Sequence, residues 1–323
     1  MTEPLISVSG VRGVVGESFA EELVCGWATA FAQFCHPEGA SATEGSREPS
    51  ASPQNDRRIV LGRDTRPSGE WALRLAADMV ARVGIQPIIL GVVPTPTVQL
   101  AVTHHRAAGG LIITASHNPS EWNGLKFVGS DGVFLSAEEM RALEQRVGAA
   151  LRGRPDNGRA QRPSPTEYLV DDSAIARHIE NVLALPINAG KIRLRKFRVV
   201  VDPVNGTGAL AVPPLLERLG CAVTVINGEP NGVFAHAPEP TPANLTELGK
   251  RVAAERVDLG IAVDPDADRL VLVGETGIVL SEEYTVTLAI QSALSSPVIL
   301  SGAKNPTPLC RPESAMKDLR DPS

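Results

Sequence analysis

Three aspartates at alternating positions are the strongest chemical feature of the chain. Asp264, Asp266 and Asp268 lie in the segment GIAVDPDADRLVLV, between two apolar runs that predict strands. Two unit charges about 4 Å apart repel by roughly 4 kcal/mol near a protein surface, so three neighbouring carboxylates favour a bound cation. Because every donor is an oxygen, the segment predicts a divalent site of the magnesium type.

An EF-hand calcium loop and a solvated acidic turn are the alternatives for this segment. The D-x-D-x-D spacing fits an EF-hand, and Glu275 falls at the twelfth position of such a loop. Arg269, however, stands where that loop requires glycine, and the flanking patterns are those of strands rather than helices. These departures favour a different kind of metal site.

Ser116 and His117 form a second candidate site, in the segment LIITASHNPSEWNGLKF. A hydrolase nucleophile elbow has the pattern G-x-S-x-G, which these residues do not match. A Ser-His pair in a loop is otherwise usually structural. At this point a phosphate carrier, a hydrolase nucleophile and a polar loop all stay open.

Basic residues favour phosphate chemistry around Ser116. Lys126 follows it beyond an Asn-Gly pair that predicts a turn, Arg12 lies in SGVRG, and Arg63 and Arg66 lie in GRDTRPSG after a short strand. Loops at the carboxyl ends of strands in an open α/β sheet converge on one crevice, so we expect these side chains to share a site. Arginine and lysine there would bind phosphate.

A glycine-rich turn follows another predicted strand in DPVNGTG. Gly206 and Gly208 could cradle a phosphate with backbone N–H groups, but G-x-G alone is a weak signal. A tight turn from strand to helix is the favoured interpretation.

Strands alternate with helices along the chain, which predicts an α/β fold with mixed, mostly parallel sheets covered on both faces. One helix is predicted to bury Val24, Trp27, Phe31 and Phe34, and another is indicated by Trp71, Leu75 and Met79, which lie four residues apart. A third helix begins at a capping box formed by Ser136 and Glu139, and its inward residues are predicted to be Met140, Leu143 and Val147.

Composition excludes several classes of partner. The 323-residue chain has a net charge of −6 without a basic block, which disfavours nucleic acid. No transmembrane-length apolar run or signal peptide is evident, so no membrane partner is expected. The four cysteines form no C-x-x-C pair, and we expect a cytoplasmic protein with reduced thiols.

Two polar segments differ in composition from the units around them. Cys35–Ser50 and Cys310–Ser323 both contain C-x-P-E-x-A and end in R-x-P-S. We interpret them as one element present twice, which buries little apolar area and is expected to be disordered. Residues 151–166, rich in Arg, Pro and Gly, predict a linker.

The segments SGVRG, GRDTRPSG, TASHNP and DPDADR, in this order, resemble the α-D-phosphohexomutases, a superfamily that interconverts sugar 1- and 6-phosphates. The resemblance runs from about Ile6 to about Ala293, apart from the polar insert. SVSGVRGVVGES and ITASHNPSEWNGLKFVGSDG are most similar to the phosphoglucosamine mutase branch, with phosphomannomutases next.

The resemblance implies two α/β/α domains. Domain I would cover 1–155 with a polar insert at about 36–57, and domain II would cover 166–279 with the metal loop. Residues 280–296 would begin a third domain, and 297–323 would be a tail foreign to the family. Family members have four domains, so the chain is expected to be truncated to the first two.

The resemblance also implies a mechanism. Ser116 would be a phosphoserine that moves a phosphoryl group between the 1- and 6-positions of a hexose phosphate, glucosamine phosphate being favoured, through a bisphosphate. Mg²⁺ would be held by this phosphoserine and the three aspartates. The other implied site residues are Lys126, His117 and Arg12 for proton transfer and charge stabilisation, and Arg269 for contact with the phosphoserine.

Two alternatives concern the activity of the chain. It could be an inactive remnant that retains only magnesium or phosphate binding, or a phosphomannomutase or phosphoglucomutase. The apolar residues of 280–296 would also favour self-association if they are exposed.

Overall fold

The computed structural model of the chain describes residues 3–35, 58–152, 168–185 and 187–295. The predictions for the polar insert, for most of the 151–166 linker and for the tail lie outside these residues. Among the described helices, none is both long and apolar enough to cross a membrane.

The first sheet has seven strands within the described residues, in the order β1-β2-β6-β5-β3-β4-β7. The strands are β1 (Leu5–Ser7), β2 (Gly10–Val14), β3 (Arg58–Arg63), β4 (Gln86–Val92), β5 (Gly109–Ile113), β6 (Trp122–Gly129) and β7 (Leu169–Val170). The helices are α1 (Glu21–Cys35), α2 (Ser68–Arg82), α3 (Thr95–His105) and α4 (Ala137–Arg152).

Helices cover both faces of this sheet. Ile59 and Leu61 of β3 face the core formed with α1, α2 and α4, whereas Val60 between them faces the core formed with α3. Because both faces are buried, β3 and β5 consist of continuous apolar runs rather than alternating ones. The predicted α/β/α layering is confirmed.

The first sheet is parallel in one half only. β3 pairs in parallel with β4 and β5, and β7 extends this half beyond β4. β2 and β6 pair antiparallel with each other, and so do β5 and β6, because β6 returns directly after β5 without a crossover helix. The sheet is therefore mixed, as predicted.

The second sheet has four strands within the described residues, in the order β11-β10-β8-β9. The strands are β8 (Arg198–Asp202), β9 (Ala222–Val225), β10 (Leu259–Val263) and β11 (Leu270–Gly274), and the helices are α5 (Ala174–Leu183), α6 (Ala189–Arg195), α7 (Gly208–Arg218) and α8 (Thr246–Glu255). Val200 packs with Leu248 and Val252 of α8, and Val201 packs toward Val212 of α7. A last helix is α9 (Glu282–Ser295).

The helix predictions were correct for α1 and α4. Val24, Trp27 and Phe31 are buried in the core, and Phe34 packs against it. In the capping box, the Ser136 N–H donates to Glu139 Oε2 at 2.7 Å, and the Glu139 N–H donates to Ser136 Oγ at 3.3 Å.

The helix indicated by Trp71, Leu75 and Met79 is α2, but these three residues do not form its most buried face. Trp71, Leu75 and Met79 are only partly buried, and the fully buried stripe consists of Ala72, Ala76 and Val80. Small residues lie innermost because α1 and α2 pack closely, and the large side chains fill the rim.

The Asn-Gly pair predicted as a turn lies inside β6 instead. A Cβ on Gly124 would come within 2.6 Å of the Val11 carbonyl oxygen and 2.8 Å of the Thr114 oxygen. Glycine is needed here because the neighbouring backbones approach too closely for any side chain.

Candidate functional site

The acidic loop joins β10 to β11. Ligand oxygens of Asp264, Asp266 and Asp268 all lie within 4.8 Å of one another. Asp264 Oδ1 accepts hydrogen bonds from the backbone N–H groups of Asp268, at 3.1 Å, and Arg269, at 3.2 Å. The loop therefore turns around its first carboxylate, and these oxygens could hold a metal ion.

The DPVNGTG turn supports this acidic loop. The Pro265 carbonyl accepts hydrogen bonds from the Thr207 N–H at 2.8 Å and from Thr207 Oγ1 at 3.0 Å. A Cβ on Gly206 would lie 2.6 Å from Pro265 Cα and from its carbonyl oxygen. The glycine therefore permits close packing of two backbones, which agrees with the favoured interpretation as a tight turn.

Ser116 lies just beyond the end of β5 and faces the acidic loop of the other sheet. Its Oγ donates a hydrogen bond to Asp264 Oδ2 at 2.8 Å, and only 2% of the residue is exposed. The backbone at Ser116 has φ of +52°, in the left-handed region that residues other than glycine rarely adopt. The serine hydroxyl thus enters the carboxylate cluster from the first sheet.

Lys126 reaches the same cluster from β6. Its Nζ donates to Asp266 Oδ2 at 2.7 Å and to Asp268 Oδ2 at 2.6 Å. Burial alone would lower the pKa of Lys126, but Asp266 and Asp268 raise it above the usual value. Burial has the opposite effect on Asp266, whose pKa it would raise, but the ammonium group of Lys126 lowers the pKa of Asp266 below its usual value. The pair is therefore charged at neutral pH.

Thr95 is a site residue that the sequence analysis missed. It begins α3, its N–H donates to the Asp266 carbonyl at 2.9 Å, and its Oγ1 donates to Asp266 Oδ2 at 2.7 Å. Nothing in the segment Pro94-Thr95-Pro96 indicates a partner so distant in the chain. Its hydroxyl orients the aspartate by holding one oxygen.

Three buried polar atoms in this region have no hydrogen-bond partner within the described residues: Asp266 Oδ1, Arg12 Nε and His117 Nδ1. Buried polar atoms without a hydrogen-bond partner are rare in folded proteins. Here one is a carboxylate oxygen, one is a guanidinium nitrogen and one is an imidazole nitrogen, so both a cation and an anion could be bound. A cation beside Asp266 and an anion beside Arg12 would satisfy two of them. The donor set therefore fits a metal and a phosphate.

Arg12 and His117 carry shifted pKa values. Burial lowers the pKa of Arg12. The Nη1 of Arg12 donates a hydrogen bond to Asn118 Oδ1 at 2.8 Å. Burial also lowers the pKa of His117, and the nearby charges of Arg269 and Arg12 lower it further. His117 is therefore neutral at pH 7.

The pKa of Asp264 is raised by burial and, after that, by the negative charges of Asp266 and Asp268 in the same cluster.

An open cleft of about 290 Å³ lies above these groups. The polar residues that line it include Arg12, Ser116, Lys126, Asp268 and Arg269, and Phe134 forms part of an apolar wall. Arg269 also lies 3.9 Å from Glu239 through Nη1. The cleft thus brings together four of the predicted catalytic side chains, and His117, the fifth, is not among its lining residues.

The prediction that Arg66 binds a phosphate of the substrate was wrong. Arg66 is fully buried, and all five of its side-chain N–H groups are directed at protein oxygens. Arg63 donates from Nη1 to the Asp64 carbonyl at 3.0 Å and does not line the cleft. Phosphate binding by Arg63 stays a prediction.

The alternatives to a phosphate site lose support. The Ser116 hydroxyl bonds to an aspartate and not to a histidine, so no hydrolase dyad is assembled. Glu275 lies outside the carboxylate cluster, and strands flank the acidic loop, so it is not an EF-hand.

A histidine outside the cleft ties the loop after β9 to the end of β8. His236 Nε2 lies 3.1 Å from Asp202 Oδ2, and its Nδ1 lies 2.9 Å from the Ala237 carbonyl. Burial would lower the pKa of His236, but the hydrogen bond to Asp202 raises it above 6.5, with Glu247 adding to this. The protonated form therefore stabilises the fold.

We expect this contact to make stability depend on pH. A raised folded-state pKa contributes stability fully below the unfolded value, and this contribution is lost as the pH rises through the folded value. The free energy of unfolding in urea should therefore fall above pH 6.5 more steeply in the wild type than in His236→Gln. Equal slopes in the two proteins would contradict the assignment.

The chain thus folds as two α/β/α units, and a serine just beyond a strand end lies against an acidic loop. The chain belongs to the phosphoglucomutase/phosphomannomutase family: the profile of its alpha/beta/alpha domain I matches residues 4–152, and that of domain II matches residues 176–277.

Individual relatives agree with this assignment. The chain is 35% identical over 291 residues to a phosphoglucomutase/phosphomannomutase of Thermococcus kodakarensis, covering 90% of this chain and 59% of the relative. It is 31% identical over 285 residues to a phosphoglucosamine/phosphogalactosamine mutase of Sulfurisphaera tokodaii, covering 88% and 58%. The chain thus spans just under three fifths of these relatives.

A solved structure supports the fold. A protein of Thermus thermophilus assigned as a phosphomannomutase superposes with a TM-score of 0.74 at 27% identity, covering 90% of this chain and 61% of that one. The layer order described above is therefore that of the family.

Proposed function

We propose that the chain is the phosphoryl-carrying part of a phosphosugar mutase. The observation that supports this best is the hydrogen bond from Ser116 Oγ to Asp264 Oδ2 at 2.8 Å, within a carboxylate cluster that Lys126 also enters. A buried serine with this setting is suited to carry a phosphate whose charge is balanced by a cation and by basic side chains.

The reaction we propose moves a phosphoryl group twice. The bond between phosphorus and Ser116 Oγ breaks as a hydroxyl oxygen of the hexose phosphate bonds to phosphorus, which yields a hexose 1,6-bisphosphate. After the bisphosphate reorients in the site, its other phosphoryl group is transferred to Ser116. The net change is movement between the 1- and 6-positions, and the carrier is restored.

The basic residues of the cleft would stabilise charge and move protons. Arg12 and Arg269 line the cleft and would balance the phosphate. Lys126, whose amine is protonated, would act as an acid, and neutral His117 would accept the proton of the attacking hydroxyl. Phosphate contact by Arg63 belongs to this proposal, whereas Arg66 does not.

The cofactor we propose is Mg²⁺, held by Asp264, Asp266 and Asp268 together with the phosphate on Ser116. The all-oxygen donor set and the unpartnered Asp266 Oδ1 support this. When bound, the ion would neutralise part of the phosphate charge and polarise the phosphorus–oxygen bond.

Glucosamine phosphate is the substrate we favour. The name of the Sulfurisphaera relative supports an amino-sugar phosphate, while that of the Thermococcus relative supports a glucose or mannose phosphate. The other candidate is an inactive remnant that binds magnesium or phosphate without turnover. The thiols of Cys35 and Cys221, which form no disulfide, agree with the cytoplasmic location that we propose.

The proposal is tested on the 323-residue chain with α-D-glucose 1,6-bisphosphate and Mg²⁺. Intact-mass spectrometry should show one added phosphate, and peptide mapping should locate it on Ser116. Absence of the phosphate, with magnesium binding retained, would favour the remnant. A covalent adduct of Ser116 with a fluorophosphonate would instead favour a hydrolase.

We also propose self-association through the 280–296 region. Tyr284, Val286, Leu288 and Ile290 of α9 are exposed apolar side chains. Several exposed apolar side chains on one helix favour contact with a second surface. Light scattering should give a mass above that of one chain, decreasing in Ile290→Lys; a monomer at every concentration would contradict this.

A further inference from the structure

Arg66 binds the backbone around Ser116 with the four Nη–H donors of its guanidinium. Nη2 donates to the carbonyls of Ser116 and Asn118 at 2.7 Å each, and Nη1 donates to those of Pro119 at 2.6 Å and Trp122 at 3.1 Å. One side chain therefore ties four carbonyls of the loop that follows β5. A planar fork of donors can do this, whereas a single ammonium group cannot.

Asp64 connects this fork to the other side of Ser116. Its Oδ2 accepts from Arg66 Nε at 2.9 Å and from Thr114 Oγ1 at 2.8 Å. Thr114 Oγ1 in turn accepts from the Ser116 N–H at 2.9 Å. The two routes from one carboxylate thus reach the N–H and the carbonyl oxygen of the same residue.

This network is sealed from solvent. Asp64, Arg66 and Thr114 are each 0% exposed. Phe234, from the loop after β9, stacks on the Arg66 guanidinium with 4.8 Å from Cζ to the ring centre. A buried ion pair is costly unless its hydrogen bonds are complete, and here they are.

We propose that Asp64, Arg66 and Thr114 are positioning residues that hold Ser116 in its left-handed conformation and aim its Oγ at the acidic loop. The φ of +52° is unfavourable for serine and persists only where the surroundings impose it. This inference rests on the proposed phosphoserine chemistry and assigns Arg66 a role other than phosphate contact, since no N–H of its side chain is left for a ligand.

Arg66→Gln and Arg66→Lys test the proposal in the full chain. The rate of phosphate transfer from α-D-glucose 1,6-bisphosphate to Ser116 is followed by intact mass at several bisphosphate concentrations. Because misplacing a reacting group by about 1 Å can cost roughly 100-fold, we expect a limiting rate about 100-fold lower in Arg66→Gln. The half-saturating concentration should stay near that of the wild type, and lysine should not restore the rate.

Two results would overturn the inference. If Arg66→Lys restores the limiting rate, the charge and not the fork of donors is required. If the half-saturating concentration rises while the limiting rate is kept, Arg66 contacts the bisphosphate. Val80→Ala in α2 controls for lost stability, because this fully buried side chain lies outside the network and should leave the limiting rate unchanged while the protein is folded.

A second pair of variants avoids removing a buried charge. Thr114→Val deletes the hydroxyl between Asp64 and the Ser116 N–H, and Thr114→Ser keeps it. Hydrogen exchange of the peptide 114–122 should be faster in Thr114→Val and near wild type in Thr114→Ser, with the same order in phosphate transfer. Equal exchange in both would contradict the positioning role.

Hydrogen exchange also separates the two proposals. If the wild-type chain takes up no phosphate, the proposed function fails for this chain, and the exchange of 114–122 still decides whether the network holds the Ser116 loop. If phosphate is taken up and Arg66→Gln is as fast as wild type, only the positioning proposal fails.

Discussion

Replacing Ser116 with alanine is expected to abolish covalent phosphate uptake and to lower any mutase turnover by at least about 10,000-fold. The hydroxyl is the only atom of this residue that can carry phosphate, and it already lies 2.8 Å from Asp264 Oδ2. Alanine preserves the backbone contacts of the loop, since the Ser116 N–H and carbonyl make the bonds to Thr114 and Arg66. The loss should therefore be chemical rather than structural.

Intact mass after incubation with α-D-glucose 1,6-bisphosphate and Mg²⁺ measures the phosphate, and a coupled assay measures turnover. Ser120→Ala is the matched control, because Ser120 lies exposed in the same loop. It should be phosphorylated like the wild type. Phosphate uptake by Ser116→Ala at the wild-type rate would place the carrier elsewhere.

Replacing Asp266 with asparagine is expected to weaken divalent-metal binding by about 100-fold or more. Asp266 Oδ1 is buried without a partner among the described residues, while Oδ2 is held by Thr95 and Lys126. The residues that hold Oδ2 thus fix the carboxylate group to which the free Oδ1 belongs. Asparagine keeps the size but removes the negative charge that a hard cation requires.

Metal binding is measured directly with Mn²⁺ as the probe, by electron paramagnetic resonance, so the result does not depend on turnover. Glu275→Gln removes an equal charge from an exposed position outside the cluster and should bind Mn²⁺ like the wild type. Unchanged Mn²⁺ affinity in Asp266→Asn would show that the acidic loop is not the metal site.

The polar character of the site could be predicted from short segments. Three carboxylates at alternating positions repel one another wherever the chain places them, so a cation was indicated without coordinates. The capping box at Ser136 and the apolar stripe of α1 were equally local, because helix caps and helical periodicity involve residues within a few positions of each other.

Predictions failed where a distant backbone determined the role of a residue. The Asn-Gly pair became part of β6 because Gly124 lies between the carbonyls of Val11 and Thr114. The spacing of Trp71, Leu75 and Met79 indicated the helix α2 but not its buried face, because α1 packs against the small residues beside them. Neither constraint can be recognised from the local sequence, because the residues that impose it lie elsewhere in the chain.

Arg66 illustrates the same limit at the site. As an isolated arginine in a strand-end loop it predicted phosphate binding, since a guanidinium matches a phosphate well. The folded loop offers it four carbonyl oxygens, which occupy the same donors. The partner of an arginine depends on which acceptors the fold places near it, and this cannot be predicted from the residue type alone.

Local chemistry in the chain thus specified a carboxylate cluster and an α/β pattern to support it, and the resemblance of its short motifs implied that Ser116 carries phosphate. Folding decided that Ser116 and Asp264, 148 positions apart, share a hydrogen bond, and that Thr95, Asp64 and Arg66 position these groups. The reason is physical: side-chain type and short spacing act within a few residues, whereas the direction of a hydroxyl depends on packing between two sheets.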